Sequence, residues 1–107
     1  MVESYDDFYV SIITYIEVYG YEFEKPEEKQ LIDLFFEGLE VIELNKEIVE
    51  QVIVYRKNKI KKIKLPDAII LATAKYLDAE LITNDWNDFE NIDDSVIITK
   101  IDNFKKQ

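Results

Sequence analysis

The 107-residue sequence predicts an α/β fold of three layers, with a mostly parallel central sheet flanked by helices. Short runs rich in Val, Ile and aromatic residues alternate with longer segments of helical pattern, so successive strands are separated by helices. Helix-opening residues, Pro26, Asn45 and Pro66, stand at the heads of those segments. Hydrophobic residues at 48% and charged residues at 34% suit a single globular domain that buries a core without staples.

Phe8 to Thr14 reads as the first strand. Thr14-Tyr15-Ile16-Glu17 has the spacing of a capping box, which starts a helix running towards Phe23. Pro26 with Glu27 and Glu28 opens a second helix, whose Leu31, Ile32, Leu34, Phe35 and Phe36 are expected to face the core, with Gly38 as its stop. Leu39 to Leu44 reads as a second strand. Asn45 caps a helix carrying Ile48, Val49, Val52, Ile53 and Tyr55 that ends near Asn58. Pro66 opens the helix through Leu77, in which Ala68, Ala72 and Ala74 allow close packing. Ala79 to Thr83 and Val96 to Ile101 read as the third and fourth strands.

In parallel sheets of this kind ligands gather at the carboxyl ends of the strands. Glu17 follows the first strand, Asp85 and Asp88 follow the third, and Asp67 opens the helix leading into the third. All four therefore belong at one edge, whereas Asp6 and Asp7 precede the first strand and belong at the opposite one. Each acid also has a structural reading. Glu17 closes the capping box, Asp67 complements a helix dipole, and Asp85 and Asp88 serve a turn. Trp86 and Phe89 read as packing anchors.

With no histidine and no cysteine, zinc–thiolate sites, Ser-His-Asp catalysis and thiol nucleophiles are excluded within the chain. Any resident metal is a hard cation held by oxygens, Mg²⁺ or Mn²⁺. Only Gly20 and Gly38 are glycines, so no glycine-rich phosphate loop exists. A net charge of −10 opposes broad capture of nucleic acid. Yet six of the 13 Lys and Arg residues fall between Arg56 and Lys64, either as a solvated helix end or as a contact for RNA or an acidic partner. No apolar run approaches 18 residues and Met1-Val2-Glu3-Ser4 is no signal peptide, so no membrane association and a cytoplasmic location are expected.

Val10-Ser11-Ile12-Ile13-Thr14-Tyr15-Ile16-Glu17, Leu65-Pro66-Asp67-Ala68-Ile69-Ile70-Leu71-Ala72-Thr73-Ala74 and Leu81-Ile82-Thr83-Asn84-Asp85 through Asp88-Phe89 resemble the PIN domain. The nearest type is the VapC-like ribonuclease toxin of prokaryotic toxin–antitoxin pairs, and the likeness runs from about Phe8 to Ile101. The resemblance implies that Glu17, Asp67 and Asp85 are catalytic acids of a Mg²⁺ or Mn²⁺ site, with Asp88 a further ligand. It implies hydrolysis of RNA phosphodiesters and an antitoxin protein as partner.

The family opens with a central strand ending in Asp followed by Thr or Ser, and no such pair precedes Glu17. The expectation is one N-terminally truncated PIN-like domain over residues 1–107, lacking that front strand, the first helix and one metal-binding Asp. The alternative function is a catalytically silent domain that binds an antitoxin or another protein. Unpaired inner strand edges would then favour a homodimer or higher oligomer, with contacts near Phe8–Thr14 or Ala79–Thr83.

Overall fold

The computed structural model describes residues 8–101. Asp6 and Asp7 lie outside the described residues. The chain forms two compact units, one ending at Glu43 and one beginning at Leu44.

The first unit contains β1 (Tyr9–Ser11), α1 (Ile12–Tyr19), α2 (Pro26–Glu37) and β2 (Glu40–Ile42). β1 and β2 are parallel, with Tyr9 opposite Glu40 and Ser11 opposite Ile42. The first strand is shorter than its β-branched run suggests. Ser11 keeps extended backbone, and its hydroxyl accepts a hydrogen bond from the Ile13 amide at 3.2 Å, so the helix starts there. The capping box expected at Thr14–Glu17 does not form, and Glu17 lies inside the helix. Nor does α1 reach Phe23. The Gly20 amide donates to the Ile16 carbonyl at 2.8 Å, and a Cβ on Gly20 would sit 2.9 Å from that same oxygen.

α2 begins at Pro26 and stops at Gly38 as its punctuation requires. The Glu28 carboxylate accepts from the Lys25 amide at 3.2 Å. Its apolar residues do not all face inwards. Ile32 and Phe36 are half-buried, but Leu31, Leu34 and Phe35 are 67%, 64% and 63% exposed. The apolar stripe is wider than the face that α1 covers, where the Tyr15 and Tyr19 rings lie 5.5 and 5.4 Å from that of Phe36. A polar clamp adds to these rings. The Tyr19 hydroxyl donates to Asp33 Oδ1 at 2.6 Å and the Lys29 ammonium to Oδ2 at 3.0 Å. The bond to Asp33 pushes the Tyr19 hydroxyl up to about 12, while Tyr19 and then Lys29 hold the Asp33 carboxyl below its usual range.

The second unit contains α3 (Lys46–Arg56), α4 (Leu65–Leu77), β3 (Leu81–Thr83), α5 (Trp86–Phe89) and β4 (Ile98–Lys100). Asn45 Oδ1 accepts from the Ile48 amide at 2.8 Å and starts α3 as expected. α3 packs on α4, and their inward faces supply most of the core: Ile48, Val52 and Tyr55 from α3, Ala68, Ile69, Leu71, Ala72 and Ala74 from α4. Buried Thr73 satisfies its hydroxyl on the Ile69 carbonyl at 2.7 Å. α4 closes on Asp78, whose φ of 53° is left-handed. β3 and β4 are parallel, with Leu81 opposite Ile98 and Thr83 opposite Lys100. The parallel strands and flanking helices match the expected fold class. Among the described residues β1 pairs only with β2, and β3 only with β4.

One long-range bond ties α3 to the segment before β4. The buried Tyr55 hydroxyl donates to Asp93 Oδ2 at 2.5 Å. Burial, then the Asp93 carboxylate, push the Tyr55 hydroxyl well above its usual range. Burial also opposes the charge on Asp93, but hydrogen bonds from Ser95 and Tyr55 outweigh it and hold the carboxyl below 3.8. Tyr55→Phe is expected to lower stability at neutral pH by about 1.5–3 kcal/mol, the range for a hydrogen bond to a charged group. Urea midpoints read this directly. Because Asp93 has a depressed folded value, its contribution is present above pH 3.8 and is lost as pH falls through the folded value, so the gap between parent and variant should close in acid.

Candidate functional site

The parallel register of β3 and β4 brings their carboxyl ends together, and the chain leaving β3 turns at once into α5. Thr83 makes that turn. Its hydroxyl accepts from the Asp85 amide at 3.0 Å, and the Asp85 carbonyl then accepts from the Asp88 amide at 3.0 Å. The Asp85 side chain caps nothing. Asp85 and Asp88 are both exposed, and with Asn84, Trp86, Asn87 and Lys100 they line an open depression of about 350 Å³.

Asp67 occupies the first turn of α4, where a negative charge complements the helix dipole, and it is half-buried. α4 also packs on α5, the helix that carries Asp88. Glu17 belongs to the first unit, at an exposed position inside α1. Since Ser11 caps that helix, Glu17 has no capping duty. Asp85 and Asp88 are thus gathered on one depression, while Asp67 and Glu17 are carried on separate helices. No group of three or more acids among the described residues is arranged to hold a metal ion. The donors of the depression, two carboxylates and two side-chain amides, are nonetheless the hard oxygens that Mg²⁺ and Mn²⁺ accept. Mg²⁺ keeps several waters and commonly needs only one or two carboxylates.

The sequence reading missed Lys100, and it counted Lys61 among the cations of Arg56–Lys64 without placing it beside the acids. The Lys100 ammonium sits 5.5 Å from the centre of the Trp86 ring, in cation–π range on the same depression. Register was the available signal, since parallel pairing places Lys100 beside Thr83 just ahead of the acids. The Lys61 ammonium crosses to the carbonyl oxygens of Asn87 and Glu90, the latter at 2.7 Å, and fastens the α3–α4 loop to the acid-bearing loop. Phe89 is buried, as a packing anchor should be, while Trp86 is half-buried at the depression.

The family model described as PIN domain matches residues 1–95. Among solved structures, the chain is similar to one described as a toxin-antitoxin complex from Klebsiella pneumoniae. The identity is 36% and the TM-score 0.64, over 81% of this chain and 69% of that one. Comparison with curated proteins returned no match.

Because the Asp85 carboxylate caps no helix, Asp85→Asn should change stability in metal-free buffer by no more than about 0.5 kcal/mol. A denaturant melt showing a clearly larger loss would make Asp85 a structural residue.

Proposed function

Since the chain belongs to the PIN-domain family, we propose that it is a metal-dependent endoribonuclease of toxin–antitoxin type that hydrolyses RNA phosphodiesters. The observation that carries this reading is the pair Asp85 and Asp88 at the carboxyl end of β3, with Asp67 opening the helix that leads into that strand. In the proposal Glu17, Asp67 and Asp85 are the catalytic acids and metal ligands, and Asp88 is a further ligand. A bound Mg²⁺ or Mn²⁺ supplies an activated water and offsets charge on the phosphate. The carboxylates hold and orient that cation, and Lys100 adds a positive charge beside them. These 107 residues carry no Asp-Thr or Asp-Ser pair before Glu17, and cleavage by them alone is expected to be weak.

Metal binding gives a readout independent of turnover. With Mn²⁺ at roughly 100 times its Kd, the parent chain should gain about 2.7 kcal/mol of stability. Asp67→Asn and Asp85→Asn should erase that gain, and with Glu17→Gln they should abolish whatever metal-dependent RNA cleavage the parent shows. A parent with no Mn²⁺-dependent shift would sink the metal-site reading. Robust cleavage, lost in the same variants, would show that these acids suffice without the leading Asp.

A second reading rests on a different observation. Leu31, Leu34 and Phe35 form an exposed apolar strip on α2, and a solved structure that the chain is similar to is described as a toxin-antitoxin complex. This favours a protein-binding role, with an antitoxin as partner and with self-association into a homodimer or higher oligomer, alongside or in place of catalysis. A cytoplasmic location accords with this reading, and no helix among the described residues is long and apolar enough to cross a membrane. Light scattering over a wide dilution range should show an oligomer that Leu34→Lys dissociates. A parent that stays monomeric at every concentration removes the self-association part.

A further inference from the structure

The run from Arg56 to Lys64, its six cations uninterrupted by any acid, spans the last residue of α3 and the loop that leads to α4. The loop has a defined shape. Asn58 Oδ1 accepts from the amides of Ile60 and Lys61 at 2.8 and 3.0 Å, which sets a turn. Arg56 Nη1 donates to the Ile63 carbonyl at 2.8 Å, which fixes the guanidinium. Arg56, Asn58, Lys62, Ile63 and Lys64 line an open depression of about 440 Å³. No ion pair between described residues involves the six cations.

We propose that this depression is a phosphodiester-binding site, in which Arg56, Lys62 and Lys64 hold the backbone of a single-stranded RNA next to the acids of the second unit. The proposal rests on the ribonuclease reading above and names where the substrate is gripped. Two features place the grip beside the acids. Lys64 immediately precedes α4 and stands three residues before Asp67. Lys61 bonds the loop to the carbonyls of Asn87 and Glu90, on either side of Asp88 and Phe89.

The lining favours a polyphosphate over an acidic protein. A protein interface needs an apolar, desolvated centre, and the apolar side chain here, Ile63, is buried at 5% exposure. Ile60, 97% exposed, lies outside the lining. A phosphate backbone needs only cations and donors, which Arg56, Lys62, Lys64 and Asn58 provide. Arg56 retains donors beyond the one given to Ile63, in the fork that suits phosphate oxygens. A concentrated cationic loop also lets a chain of net charge −10 approach RNA at all.

The test is direct binding without turnover, by fluorescence anisotropy of a short labelled oligouridine in metal-free buffer over a salt series. Lys62→Gln/Lys64→Gln is compared with Lys25→Gln/Lys46→Gln, which removes the same charge elsewhere. The Lys62 and Lys64 side chains are exposed, and circular dichroism checks that both variants fold. The loop variant should bind more weakly at low salt, and its log–log salt slope should fall by about 1.4, at ~0.7 for each phosphate that is no longer neutralised. The control should keep most of both. If the parent binds RNA and the loop variant matches it in affinity and slope, the site is overturned while the ribonuclease reading stands. If the parent binds no RNA at any salt, both fall. If a polyglutamate peptide of equal charge binds as tightly through the same lysines, the loop serves an acidic protein and the RNA assignment is overturned.

Discussion

Close packing of α3 on α4 is the constraint from which the placement of the second unit's acids and cations follows. It is made possible by small residues on α4. Ala68 and Ala72 are essentially inaccessible, and Ile48 and Leu71 are the largest side chains fully enclosed in the core. Burying side chains of that size stabilises by roughly 1.5–3 kcal/mol each. The adjoining ends of the two helices then bracket the α3–α4 loop, and Arg56, Lys62 and Lys64 line one depression there. The same helix presents Asp67 in its opening turn and delivers the chain into β3. The exposed Asp85 and Asp88 and the half-buried Asp67 add little to the core, and their placement follows from alanines that do no chemistry.

The first unit is held by other means. None of its described large apolar side chains is buried, and Ser11 is the buried residue, used as a cap. Ring contacts among Tyr15, Tyr19 and Phe36 and the Tyr19–Asp33–Lys29 clamp join α1 to α2. Contacts of this kind orient two helices without enclosing them. Leu31, Leu34 and Phe35 are left outward as a consequence of a stripe broader than its cover.

Legibility followed how local each signal was. Asn45, Pro26 and Gly38 mark their helix ends through short-range chemistry, and the ends stand where they predicted. At the start of the chain two local signals competed. The β-branched run through Ile13 argued for strand and Thr14 with Glu17 for a cap, but Ser11 is three positions earlier and its hydroxyl took the amide first. Burial on α2 was misjudged because periodicity shows which residues are apolar, not how wide a neighbour covers them. α5 is a four-residue turn inside a polar stretch, too short for periodicity to register. Of the site, the acids were visible as residues. The Lys61 tether and the Lys100–Trp86 contact needed the fold, since each joins segments that only tertiary structure brings near.

The two strand pairs differ in how much chain must be gathered before a backbone bond can form. Tyr9 meets Glu40 across thirty-one positions, with two helices between, whereas Leu81 meets Ile98 across seventeen, with a single short helix between. Closing a longer loop costs more entropy, and parallel pairing yields nothing until closure is complete. The β3–β4 ladder is therefore the one that acquires order early, on a scaffold of α3 and α4 that assembles from near-neighbour contacts. The β1–β2 ladder has the longer search and less buried apolar surface to guide it. During synthesis the residues of the first unit emerge first, so its longer closure is searched while the second unit is still being made.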